Sequence, residues 1–347
     1  MGLFSRQIKT TYAQRPSLPT MPATPFDPQD SLLPAIVGEI FGVDTEAVTR
    51  EIAMRVPGLK RAVQVHASIV SAMPLVAYRK GVPLDPQPEW LQNTQSGIAP
   101  SIRTKGLVTD LVLEGWALLG CQLDDNERII DAIHIPRNMW KFDSDGYVSI
   151  ERFVDPRYLK RLIPIPLGTN GVLVDGVDTI RQARALDLAR TNRLQAPPAG
   201  TELHITDESY NGDEDEKKKL AQGYAETRRK FSVSVTPSNV EVKEHGDKAV
   251  DLFDSATNSI RLDIANHAGV PAAIIEGARS GSGGDMTYTG KGDARSELYD
   301  LGSRDYADAI AARLSLDDVS EPGVYIAFDR SDAFSVPTPV TPPVLED

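Results

Sequence analysis

The stretch of this chain best equipped for chemistry is rich in glycine. Gly277-Ala278-Arg279-Ser280-Gly281-Ser282-Gly283-Gly284-Asp285-Met286-Thr287-Tyr288-Thr289-Gly290-Lys291-Gly292 combines hydroxyls, two cations and six glycines. Gly290-Lys291 invites comparison with a phosphate loop, in which backbone N–H groups cradle phosphate oxygens and a lysine reaches them. That motif needs Gly five residues before the second Gly, where this chain has Asp285, and Ser or Thr after Lys, where it has Gly292. No obviously apolar strand feeds the stretch. A dinucleotide fingerprint fails as well, for want of a strand–turn–helix with correctly spaced glycines. Gly281-Ser282-Gly283 lies inside the stretch with no strand before it, so it is no nucleophile elbow. Six glycines would cost a helix here about 6 kcal/mol relative to alanine. A mobile connecting loop is the expectation.

Other reactive types are scattered. The histidines are His66, His134, His204, His245 and His267, and no two sit three or four residues apart as a helical metal pair would. His66 and His267 fall in expected helices and read as packed or surface residues rather than ligands. A Ser-His-Asp set, whose members meet only in space, stays open. Cys121, the single cysteine, sits in an expected strand as a small apolar residue; alone it can form neither an intramolecular disulfide nor a cysteine cluster. Asp213-Glu214-Asp215-Glu216 lacks the calcium-loop pattern and reads as a solvated helix start. No cofactor is expected.

Whatever these residues do, the elements around them must position it. A helix is expected over Asp251 to Ala268, with Phe253, Ala256, Ile260 and Ile264 on one face. Gly269 stands where a helix C′ glycine belongs, and Pro271 forbids continuation. After the glycine stretch, Asp293 caps a second helix to about Leu314, with Leu298, Leu301, Ile310 and Leu314 as packing residues. Upstream, Pro57 to Ser71 is a helix burying Leu59, Ala62, Val63, His66, Ile69 and Val70. Leu75 to Tyr78 then reads as a strand and Lys80-Gly81 as a hairpin turn. Thr104 to Gly115 is another amphipathic helix. A four-stranded meander follows, over Leu118–Leu123, Arg128–Ile135, Met139–Phe142 and Tyr147–Val154.

Gly168 and Gly171 mark a break. Val177 to Leu194 is a long helix whose Arg181 and Arg190 lie half a turn out of phase, which argues against a DNA-reading stripe. Between it and Asp247 lies a compact insert: strand Glu202–Thr206, helix Asp213–Lys230 with its acidic start and basic end, strand Phe231–Val235 and a further Val240–Val242. Residues 1–30, rich in Pro, Thr and Gln, read as a flexible arm, Ser31–Phe41 as a short helix, and the Pro-rich tail after Ser331 as loose.

The totals set limits. At 347 residues, with 41% hydrophobic and 25% charged, the chain can build a sizeable core. No apolar run is long enough to span a membrane, and no signal peptide is evident. A net charge of −12 argues against nucleic acid as a tightly held ligand, because tight binding needs a basic face that neutralises phosphates. An acidic protein could still face DNA where sticking must be avoided.

The order of parts resembles the portal protein of tailed bacteriophages. The likeness covers about residues 35 to 316. Ala72-Met73-Pro74-Leu75-Val76-Ala77-Tyr78-Arg79-Lys80-Gly81 is similar to the family's early helix–strand segment, and Gly115-Trp116-Ala117-Leu118-Leu119-Gly120 to the start of its wing sheet. Pro198-Ala199-Gly200-Thr201-Glu202-Leu203 resembles the start of the clip. Ile264-Ala265-Asn266-His267-Ala268-Gly269-Val270-Pro271 resembles the end of the second stem helix.

The resemblance implies an α+β portal-type subunit. Its parts would be an N-terminal arm (1–30), a wing (31–170), stem helix 1 (171–195), a clip (196–247), stem helix 2 (248–269), a tunnel loop and tunnel helix (270–316) and a C-terminal segment ending in a loose tail (317–347), with the crown short or absent. Such a chain would carry out no catalysis. It would form a ring, a dodecamer by resemblance, at the portal vertex of a virion after assembly in the host cytoplasm. Its partners would be terminase, a head-to-tail adaptor, the major capsid protein and transient non-specific double-stranded DNA, with no membrane. The channel residues would be Arg279, Ser280, Gly281, Ser282, Gly283, Gly284, Asp285, Met286, Thr287, Tyr288, Thr289 and Lys291. The clip's partner-binding residues would be Glu202, His204, Lys217, Arg228, Arg229 and Lys230. Two rivals remain: a ring-forming head-to-tail adaptor or minor capsid protein, and a phosphoryl-transfer enzyme using the glycine stretch.

Overall fold

The computed structural model describes residues 48–195, 201–206, 212–230, 238–244, 253–271, 296 and 298–331. Two compact units divide the chain: Met1–Arg184 with Thr257–Asp347, and Ala185–Ala256. The first opens with α1 (Arg50–Ala53) and α2 (Pro57–Ser71), the latter with proline in its first turn, where its missing N–H costs nothing. All six residues expected on the inner face of α2 are buried. Pro74 then separates it from β1 (Leu75–Arg79). Lys80 and Gly81, both at positive φ, make the tight turn into the two-residue β2 (Val82–Pro83).

Next come α3 (Glu89–Gln92) and α4 (Pro100–Glu114), which starts one turn earlier than expected because Pro100 suits its first position. The strands β3 (Trp116–Leu123), β4 (Ile129–Ile135), β5 (Trp140–Phe142), β6 (Val148–Ile150) and β7 (Arg161–Pro166) follow. They do not form the expected meander. The sheet order is β4-β3-β7, and among the described residues β5 and β6 pair with each other and with no other strand. Pro136 and the 3₁₀ turn Arg137–Met139 break the run between β4 and β5. The free edge of β3 is taken by β7, which sequence reasoning missed; Pro164 and Pro166 disguise it, and they are tolerated because β7 is an edge strand.

Both faces of β3 are buried. Ala117, Leu119 and Cys121 face the main core with Leu59, Val63, Leu107 and Leu111. Trp116 and Leu118 face a smaller cluster with Ile135, Trp140 and Leu162. Cys121 is wholly buried, and desolvation pushes its thiol up to about 12, as befits the small apolar residue expected. One ionic cluster in this unit centres on a buried acid. Asp110 of α4, fully buried, binds Arg50 of α1, His134 Nε2 at 2.7 Å and the Arg137 backbone N–H at 3.0 Å, so its charge is fully partnered.

After α5 (Val172–Asp175) comes α6 (Val177–Gln195), the long helix expected from residue 177. The second unit contains the last turns of α6, then β8 (Thr201–Ile205), α7 (Glu214–Lys230) and β9 (Val240–Glu244). β8 and β9 pair antiparallel, Leu203 opposite Val242. Asp213 caps α7 by accepting the Glu216 N–H at 2.8 Å.

α8 (Asp254–Ala268) returns the chain to the first unit. Phe253, expected on its inner face, precedes the helix with φ +58. A π-helical turn, Tyr299–Ser303, runs directly into α9 (Arg304–Leu314), and β10 (Val324–Phe328) closes the unit. β10 lies within the segment 317–347 that was expected to end in a loose tail. It pairs along the whole of β1, Leu75 opposite Phe328, so the expected β1–β2 hairpin is the lesser part of a three-stranded sheet. The arm 1–30, the helix 31–41, the strand 231–235 and the tail beyond Ser331 lie outside the described residues.

Candidate functional site

The glycine stretch and every channel residue expected in it, from Arg279 to Lys291, lie outside the described residues. What the structure defines is the base to which that stretch is attached. On the incoming side, α8 ends in a Schellman arrangement. Gly269 takes φ +65, its N–H reaches Asn266 O at 3.4 Å, and the Val270 N–H reaches Ala265 O at 3.0 Å. The accompanying Ala265–Val270 pair is buried. The glycine and proline in this segment thus do what their types predicted.

On the outgoing side, the π turn changes which face is inward. More residues per turn than in an α-helix rotate Leu298 toward the core, where it is buried with Tyr299, Tyr306, Ile310 and Leu314. Leu301, expected to pack, is instead 67% exposed: nine residues before the buried Ile310, it lies half a turn out of phase with it. Gly302 lets the π turn touch the end of α8. A Cβ there would lie 2.1 Å from Gly269 O.

His66 of α2 fastens the two sides. Its Nε2 lies 2.7 Å from Ala268 O, which can only accept, so Nε2 carries the proton. Nδ1 therefore accepts from Ser303 Oγ at 2.9 Å. The ring packs tilted against Tyr306, centroids 4.9 Å apart. Desolvation holds the imidazole neutral, its pKa drawn down to about 4 in spite of the Ala268 carbonyl, which favours the charged form. This is a Ser–His pair, but both residues are wholly buried, so no substrate reaches it. Its work is mechanical: α2, the end of α8 and the end of the π turn meet at one imidazole. Beside it, Thr179 Oγ1 of α6 lies 3.3 Å from His267 Nε2. Sequence reasoning placed His66 on the buried face of α2; its partners, some 200 and 237 residues away, carried no local signal.

The charges expected along the second helix are only partly at the surface. Arg304 pairs with Asp308 at 3.2 Å and Arg330 with Asp300 at 3.4 Å. Arg313 is buried; it donates to Pro164 O and doubly to Asp318 at 3.0 and 2.8 Å, a fork geometry that suits guanidinium. Asp293, Arg295 and Glu297 lie outside the described residues.

Of the residues expected to bind partners at the clip, Glu202 and His204 are exposed on β8 and point to the same side of the strand. Their side chains approach to 3.7 Å. Lys217 is exposed on the first turn of α7, 3.6 Å from Glu214. Arg228, Arg229 and Lys230 end that helix, and their side chains lie outside the described set. Among the described residues no group of His, Cys, Asp or Glu could hold a metal ion, and no helix is long and apolar enough to cross a membrane.

No sequence-family profile matches this chain, and neither does any curated protein. Solved structures do. The chain is similar to an HK97-family phage portal protein from Corynebacterium diphtheriae, with 26% identity and a TM-score of 0.61 over 84% of this chain and 98% of that one. It is also similar to a chain in the neck of an empty gene transfer agent particle, at 15% identity and TM-score 0.60, covering 82% of this chain and 85% of that one. A third likeness is to a chain in the neck of a native gene transfer agent particle, computed with twelvefold cyclic symmetry, at 16% identity and TM-score 0.58, covering 87% and 91%. The resemblance first read from Pro74, the Gly115-Trp116 segment and the Gly269-Val270-Pro271 helix end therefore holds in three dimensions: this chain has the α+β fold of the phage portal proteins.

Proposed function

We propose that this chain is the repeating subunit of a portal ring at one vertex of a virion capsid, the channel for DNA packaging and ejection. The observation that carries the reading is the match to a phage portal chain over nearly that chain's full length. The ring is a homo-oligomer of twelve; the twelvefold neck of a gene transfer agent supports that number. The chain acts as a structural part with no catalysis of its own. It assembles in the host cytoplasm and contacts the major capsid protein in the finished particle. The second unit serves as the clip, meeting terminase during packaging and a head-to-tail adaptor afterwards. A compact α/β unit between two long helices favours this over a small adaptor, which would not be expected to carry such an insert.

The channel mechanism follows from charge. DNA must slide, so phosphate contacts have to be few and weak. A chain of net charge −12 meets that need, leaving Arg279 and Lys291 as transient phosphate contacts. The Arg279→Ala/Lys291→Ala double variant should still form rings but retain packaged DNA less well. Unchanged retention in a nuclease-protection assay would contradict that role.

A further inference from the structure

Two surfaces of the first unit carry opposite charges on helix faces that also expose apolar side chains; of the two acids on the first, Asp308 is paired with Arg304 at 3.2 Å and Asp305 is not. One is a cleft of about 780 Å³ between the ends of α8 and β7 and the outer face of α9. Asp305, Asp308, Ala309, Ala312 and Leu316 follow one another along it at helical spacing, opposite the buried stripe of Tyr306, Ile310 and Leu314. Leu316 is 54% exposed, and Asp305 has no ion-pair partner among the described residues. The two alanines leave room for another element to approach closely.

The other surface is the groove between α2 and α4, lined by Arg61, Gln64, Lys105 and Thr109. Arg61 and Lys105 are exposed and, among the described residues, also without ion-pair partners. Ile102, three residues before Lys105 and so on the same side of α4, is 54% exposed. Each surface thus supplies what the other lacks: acid against base, and a protruding aliphatic on both.

We propose that these surfaces are the two halves of one head-to-tail contact between successive copies of this chain, the acidic α9 cleft of one copy receiving the basic α2–α4 face of the next. The contact uses different patches on its two sides, so it is heterologous and closes only when the rotation between copies divides a full turn. Charge complementarity sets its register and speeds encounter; the aliphatic contacts of Leu316 and Ile102 add burial. The inference rests on the ring reading above and specifies which faces of the subunit meet.

Charge reversal tests it on the full chain. Asp305→Lys/Asp308→Lys and Arg61→Glu/Lys105→Glu should each abolish the assembled species in mass photometry, and the quadruple variant should restore it. All these positions are exposed, and the one ion pair among them, Arg304–Asp308, lies at the surface, so thermal melts of the monomers should shift little. Rings formed equally well by the wild type and both double variants would overturn this contact and leave the portal reading standing. So would loss in both without recovery in the quadruple. If reversal of Arg61 and Lys105 weakened duplex-DNA binding while assembly stayed intact, the basic face would belong to DNA and the proposal would fail. A wild-type chain and a quadruple variant that both stay monomeric at every concentration would sink both readings.

Discussion

His66 is buried, neutral and shared by three segments that lie far apart in sequence. A histidine in an unfolded chain protonates near 6.5, whereas here burial delays protonation to about 4. Between those values the unfolded chain binds the proton and the folded chain does not. The stability linked to this group is therefore complete above pH 6.5, falls as pH drops, and is gone below about pH 4, a loss of about 3 kcal/mol. Urea unfolding of the His66→Gln variant, whose side chain does not titrate, should show a shallower acid-side decline than the wild type. Parallel profiles would mean that the imidazole is not held neutral. Arg313 illustrates the same point about context. On a helical run that also carries Asp300, Asp305 and Asp308, it is nevertheless spent on a buried carbonyl and on Asp318.

At the scale of elements, the base of the glycine stretch depends on two glycines for different reasons. Gly269 needs its left-handed backbone, and an added Cβ would meet only Gly302 Cα at 4.0 Å. Alanine there should cost about 1 kcal/mol from backbone strain. Gly302 is limited by space, because its Cβ would strike the Gly269 carbonyl. Gly302→Ala should cost more, about 1–3 kcal/mol, by forcing the π turn away from α8. Thermal denaturation of both variants would check the order, and equal melting temperatures would show that the close approach is not needed.

Helices were the most legible elements. Pro57 at a helix start, Gly269 at a helix end and the period of α2 are local signals, and α2 and α6 began at the residues expected of them, whereas the start of α4 at Pro100 was read one turn late. β7 and β10 were missed, the first hidden by two prolines and the second a five-residue strand whose partner lies some 250 residues earlier. Leu301 misled because it stands nine residues, half a turn, from Ile310, so the two cannot share one helix face. The base of the candidate site could be placed in sequence from Gly269-Val270-Pro271, but its clamp could not, since Ala268 and Ser303 meet His66 only once the chain has folded.

At the scale of the whole molecule, the fold argues for function through repetition. A channel through a ring needs identical copies around an axis. The clamped base then has a purpose within the proposal: it holds the helices on either side of the glycine stretch at a fixed point, so that copies present that stretch in the same way. Heterologous contacts give such a ring when they close and a filament when they do not. The measurement that bears most directly on this is native mass spectrometry of the purified assembly, followed by single-particle imaging of the same sample. The account predicts one closed species of twelve times the 37.8 kDa chain mass, with residues 279–292 at its axis. A chain that forms only open filaments or an ordinary dimer, or rings that carry residues 279–292 on the outer rim, would contradict it.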